Sequence, residues 1–286
     1  MNGKSATKQR FRILINYQYQ YYPFTTASYF EMAARRRSDV KLYRLGDKLP
    51  KKIDLVLNVE PVGKFYRHPG AQCAYYEIDN HVILGADRHW YNKADYLYLA
   101  QWKFRDCYLG YETYELALAA DPRLHKPFPE VKEEYDIGFL GNNTYERRGE
   151  LVRELEQKWR VLTGSADPGV PYSKKLSKCK MLFNCSMNGD INMRFFESIA
   201  IGKLLITDRL PEQDKFFKEN EHYAAYDNAE ELVAKVRYYL NRECIRKSIA
   251  RAGRERLKEL HTYDVRLDEI IKRTKWISGA FQRTKV

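Results

Sequence analysis

Arg194 and Glu197 stand three residues apart in a run, 192–208, that reads as a helix passing into a buried strand. At that spacing a cation and a carboxylate share one helix face near the first turn. Phe195, Phe196, Ile199 and Ala200 recur at helical spacing, Gly202 stands where a helix end favours positive φ, and 204–206 is an apolar run of the kind a parallel sheet buries on both faces. An arginine and an acid at a helix N-terminus, above the end of a sheet, suit a ligand carrying both phosphate and sugar hydroxyls. Taken alone, Glu197 also reads as an ordinary acid favoured by the helix dipole.

Other residues offer matching chemistry. Gly141 and Asn142 follow an expected strand and precede an expected helix, so their backbone amides are candidates to approach a pyrophosphate. Arg147 and Arg148 lie one turn into that helix, and Lys174 and Lys175 are expected to open another. Converging cations and helix dipoles would stabilise a phosphate-bearing ligand, although each basic residue singly has the plain reading of a solvated surface. Tyr17, Tyr19 and Tyr21 follow the first strand and offer aromatic faces to an acceptor sugar. Asp79 and His81 end a later strand and are candidates to accept an acceptor's proton. A strand-end Asp–Asn pair is also a common turn. There is no His-Glu-x-x-His, no Asp-x-Asp and no Gly-x-Ser-x-Gly, so neither a metal site nor a hydrolase triad is indicated.

The elements that must position these groups alternate. Strands are expected over 11–16, 40–44, 54–59, 74–78, 96–100 and 114–118, with a helix from Thr25 or Thr26 to about Arg37. Three prolines in 119–133 read as an interdomain crossing. The alternation then restarts: strands over 136–140, 160–163, 181–185, 204–206 and 222–226, and helices over 145–158, 172–178, 229–241, 242–260 and 263–277. This predicts an α/β fold of two Rossmann-like domains with parallel sheets facing across a cleft, ligands binding at the carboxyl ends of the strands. The divisions are a tail over 1–10, an N-terminal domain over 11–120, a linker over 121–133 and a C-terminal domain over 134–260. Residues 261–286 form a terminal helix and basic tail, a candidate to cross back to the first domain.

Composition bounds the function. A chain of 286 residues with 44% hydrophobic content can build a sizeable core. Its net charge of +12 is concentrated at the two ends, making the basic termini candidate contacts for an anionic membrane surface or nucleic acid. Five cysteines without a Cys-x-x-Cys suggest reduced thiols in a cytoplasm. The polar N-terminus is unlike a signal peptide, and no apolar run approaches a membrane span. The expected location is cytoplasmic, with peripheral contact at the inner membrane face left open.

Asn192-Met193-Arg194-Phe195-Phe196-Glu197, followed by Ala200-Ile201-Gly202 and an apolar strand, resembles the donor-binding segment of the GT-B glycosyltransferases, in particular the group-1 transferases allied to the spore maturation protein CgeB. His261-Thr262-Tyr263-Asp264-Val265-Arg266 is similar to the closing motif of that family. Ala119-Ala120-Asp121-Pro122 and 135–142 match further stretches in family order. The resemblance implies a GT-B enzyme moving a sugar from a nucleotide-sugar donor to a protein, glycan or lipid acceptor. It implies no cofactor and no metal, and leans to retention of anomeric configuration. It puts Asn192, Arg194 and Glu197 at the donor, with Glu197 on the ribose. Many relatives carry a second acid eight residues before Glu197. Here that position is Gly189, and the neighbouring Asp190 is a candidate substitute. The rival readings are a nucleotide-sugar or nucleic-acid binding protein without turnover, and a transferase acting on modified nucleic acid. A dinucleotide oxidoreductase lacks its glycine fingerprint.

Overall fold

The structure, a computed structural model, describes residues 10–18, 25–60, 63–80 and 88–283. Residues 1–9 of the expected tail, Tyr19, Tyr21 and His81 lie outside them. The chain forms two compact units, Met1–Ala117 with Tyr263–Val286, and Leu118–Thr262.

The chain opens with β1 (Phe11–Asn16), α1 (Thr26–Arg35), β2 (Val40–Tyr43), β3 (Leu55–Val59), β4 (Gln72–Glu77), β5 (Tyr96–Leu99) and β6 (Thr113–Glu115). These strands make a parallel sheet ordered β2-β1-β3-β4-β5-β6. β3 is buried at every residue, as a central strand covered on both faces should be, while the edge strand β6 has no buried residue. The expected strand over 114–118 is thus shorter and starts one residue earlier. Its continuation leaves the sheet, and Ala120 pairs instead with Thr262. Thr25 does stand at the N-cap of α1, but the Ser28 hydroxyl supplies the bond, accepting from the Thr25 amide at 2.9 Å.

The second unit holds β7 (Tyr135–Gly138), α2 (Glu146–Glu156), β8 (Val161–Leu162), α3 (Val170–Leu176), β9 (Cys179–Phe183), α4 (Met193–Ile201), β10 (Leu204–Asp208), β11 (Ala224–Tyr226), α5 (Ala229–Leu240) and α6 (Glu243–Leu260). Its parallel sheet is ordered β11-β10-β9-β7-β8. α4 buries Phe195, Phe196, Ile199 and Ala200, stops at Gly202 in the left-handed region (φ +77°), and hands over to β10, buried throughout. The last strand begins at Ala224 rather than 222, because the His222 ring turns back to accept the Lys218 amide at 3.0 Å.

The final helix, α7 (Tyr263–Arg283), belongs to the first unit and runs past the expected end at 277. Tyr263 packs edge-on to Phe30 and near Tyr29, and Arg266 donates to the Ala117 carbonyl at 2.8 Å. His261 contacts the Phe216 carbonyl at 3.1 Å. The His-Thr-Tyr-x-x-Arg stretch therefore spans the boundary between units and makes structural contacts within each. No helix among the described residues is long and apolar enough to cross a membrane.

Candidate active site

In the second unit the strand order reverses between β7 and β9: β8 lies on one side of β7, and β9, β10 and β11 on the other. The carboxyl ends at such a reversal are where open α/β sheets bind ligands. The chain brings Arg194 there. The Asn192 side chain accepts the Phe195 amide at 3.2 Å and starts α4, so this candidate donor residue acts as a helix cap. Arg194 turns back from the first turn. Its Nε donates to the Leu140 carbonyl beyond β7 at 3.1 Å, and Nη1 to the Asn184 side chain beyond β9 at 3.2 Å. The guanidinium lies 4.7 Å from the centre of the Phe139 ring. One arginine thus joins the two strand ends that flank the reversal.

Gly141 makes that placement possible. Its φ is +145°, and a Cβ there would collide with Arg194 Nη2. Its own amide donates to the Gly164 carbonyl at 2.9 Å, so the residue offers space rather than the expected N–H. Asn142 is also engaged locally: its side-chain oxygen accepts the Thr144 amide at 2.9 Å and the Thr144 hydroxyl at 2.7 Å. Arg148 is buried and donates to the carbonyls of Asn142 and Cys185. Burial, and next the nearby Arg194 charge, lower its pKa. Arg147 remains 55% exposed beside Asp208 at 3.3 Å. Asp208, at the carboxyl end of β10, also accepts the Ser186 amide at 2.8 Å and fixes the loop after β9.

Glu197 pairs with a residue that the sequence did not single out. His125 Nε2 lies 3.3 Å from Glu197 Oε1, and the imidazole is buried. Tyr172 stands edge-on to His125. Its hydroxyl is shut from water without a well-formed hydrogen bond, and its pKa is raised by burial first and by the Glu197 charge next, against the opposing pull of Arg194. His125, Tyr172, Arg194 and Glu197 therefore share one neighbourhood.

Gly189 adopts φ +70°, a conformation that favours glycine over a residue with a side chain. Asp190 is buried and accepts the Met187 amide at 2.7 Å, so part of its carboxylate holds the loop. Lys174 corrects an expectation. Pro171 in the first turn starts α3 at Val170, which leaves Lys174 and Lys175 in the last turn, where cations favour the negative end of the dipole. Lys174 is exposed, and Lys175 donates to the Ser165 carbonyl at 2.7 Å.

In the first unit the order reverses between β1 and β3, where Asn16 donates to Asn58 at 2.6 Å. Tyr17 follows, half-buried. Asp79 is exposed beyond β4, and its amide donates to Glu60 at 2.9 Å. The buried acid here is Glu77, which accepts from the Tyr91 hydroxyl at 2.6 Å. Burial, then the charge of Glu60, push its pKa up to about 9. Among the described residues no three His, Cys, Asp or Glu side chains gather as metal ligands.

Two parallel α/β sheets, the second with an arginine clamped across its strand reversal, define a Rossmann-like protein of the GT-B fold. Solved structures share it. HepE of Anabaena, determined with UDP and glucose, is 11% identical with a TM-score of 0.66, over 93% of this chain and 100% of that one. A glycosyltransferase of Rickettsia africae is 12% identical with a TM-score of 0.61, over 94% and 98%. TarM is 12% identical with a TM-score of 0.59, and 77% of this chain spans only 54% of that one. At such identities the likeness is one of fold. No curated protein sequence matches the chain. The profile of the glycosyl transferase-like family matches residues 123–272, more than half the chain. The chain belongs to that family and is a glycosyltransferase.

Proposed function

We propose that the enzyme transfers a sugar from a UDP-sugar to a protein, glycan or lipid acceptor, with retention and without a metal ion. The observation that carries this reading is Arg194 at the strand reversal, seated against Gly141. There its guanidinium meets the diphosphate, and Arg147 adds charge from the rim. Glu197, steadied by His125, accepts the ribose hydroxyls. The bond from the anomeric carbon to the diphosphate breaks, and its electron pair leaves with the diphosphate that Arg194 stabilises. The acceptor oxygen bonds to the anomeric carbon and loses its proton, for which Asp79 is the candidate. The complexes of HepE with UDP and with UDP-glucose support the donor class. The Asn192–Glu197 and His261–Arg266 stretches support an alliance with the CgeB group, and five free thiols fit a reducing cytoplasm.

The test is calorimetry and product analysis with a panel of UDP-sugars. At least one should bind saturably and weaken in Glu197→Ala and Arg194→Ala, and transfer should survive EDTA. No binder in the panel sinks the reading. A second reading, donor binding without turnover, is favoured by Gly189 standing where relatives have an acid. Tight binding with neither transfer nor hydrolysis would select it.

A further inference from the structure

Two cavities in the first unit, of about 820 Å³ and about 450 Å³, adjoin at Tyr114 and Trp276. The larger is lined by Gln72, Tyr96 and Tyr114, residues at the starts of β4, β5 and β6. It therefore sits at the amino ends of the parallel strands, opposite the carboxyl ends where such sheets bind their main ligands. It is no part of the strand reversal described above.

The lining combines aromatic rings with balanced charge. Trp276, on the outer face of α7, is 59% exposed. The Arg273 guanidinium lies 4.3 Å from the Tyr114 ring centre and 5.7 Å from that of Trp276, within cation–π range of both rings. In the larger cavity Arg67 pairs with Asp95 at 2.6 Å beside Glu112, and in the smaller Lys272 and Arg273 face Glu115 and Glu269. Tyr98 borders the smaller cavity, with its hydroxyl turned into the protein. It is buried and makes no hydrogen bond of standard geometry among the described residues.

This chemistry selects an occupant. A polyanion or an anionic bilayer would meet carboxylates as often as cations, and a bilayer would need a convex face rather than two hollows. An apolar peptide segment would leave the charged groups desolvated and unmatched. A neutral polyhydroxylated ring satisfies the whole lining: its C–H face stacks on the indole, and its hydroxyls meet carboxylate acceptors and guanidinium donors. We propose that the double cavity is an accessory carbohydrate site for a neutral oligosaccharide, with Trp276 as the stacking platform and Arg273 and Glu112 as hydroxyl partners. Occupancy does not require sugar transfer, so the proposal stands apart from the donor site.

The test titrates the full chain with short neutral oligomers of glucose, N-acetylglucosamine, mannose and galactose, followed by calorimetry and saturation-transfer NMR. At least one should bind saturably and weaken about tenfold or more in Trp276→Ala and in Glu112→Ala, a loss of ~1.4 kcal/mol or more. Both side chains are exposed, so the fold should bear the changes. UDP affinity, read in the same samples, should stay constant, which separates failure here from failure of the donor reading. Absence of any Trp276-dependent oligomer binding overturns the proposal. Trp276-dependent binding to phosphatidylglycerol–phosphatidylcholine vesicles, with no oligosaccharide binding, also overturns it and makes the patch a membrane contact.

Discussion

His125 Nε2 sits 3.3 Å from Glu197 Oε1, with side-chain exposures of 1% and 13%. A carboxylate held at one oxygen by a buried ring has a fixed direction for the other. Glu197→Ala should weaken UDP binding on the order of tenfold, and His125→Ala by a smaller factor, as expected for removing a partner of a charged hydrogen bond. Calorimetric titration checks both. An unchanged affinity in Glu197→Ala would remove the ribose role.

Gly141→Ala should damage the same function from the backbone. The new methyl meets the Arg194 guanidinium, and φ of +145° is strained for alanine, at a cost of about 1–3 kcal/mol. The melting temperature should drop, and UDP affinity should fall with it. In an Arg194→Ala background the added penalty should shrink, because the collision partner is gone. Equal penalties in both backgrounds would mean that the two residues do not interact.

Glu77 predicts a pH response. Its ordinary value is 4.5 and its folded value about 9. Between those limits the folded chain keeps a proton that the unfolded chain has released. Stability is therefore fully present below about pH 4.5 and falls as pH rises toward 9. Glu77→Gln should flatten that decline. Urea midpoints at pH 5, 7 and 9 measure it, and parallel curves for the two proteins would refute the assignment.

Phe196 is fully buried, with ring centres 5.4 Å from Phe195 and 5.8 Å from Phe216. Phe196→Ala should cost about 3–5 kcal/mol by leaving a cavity under α4. Equilibrium denaturation gives the value. A cost below about 1 kcal/mol would mean that the helix repacks freely.

Legibility in the sequence tracked how local each cause is. The α4–Gly202–β10 stretch could be read because periodicity, cap and apolar run are all short-range signals. The alternation of strands and helices carried the architecture for the same reason. His125 escaped notice because only the fold brings it to Glu197, and a lone histidine in a proline-rich stretch has no local signature. Lys174 was misplaced because Pro171, a first-turn residue, sets the start of α3 and was not used. Glu77 was passed over for Asp79 because the sequence does not show that the acid of β4 points inward while Asp79 stays in water.

The first unit takes its last helix from the far end of the chain. A ribosome delivers Tyr263 only after every residue of the second unit has emerged, so the second unit is contiguous and free to condense first. Until α7 arrives, Tyr29 and Phe30 lack the ring that packs against them. Closure of the aromatic cluster on α1 is therefore a late event in folding, waiting on a segment that lies beyond a whole intervening unit.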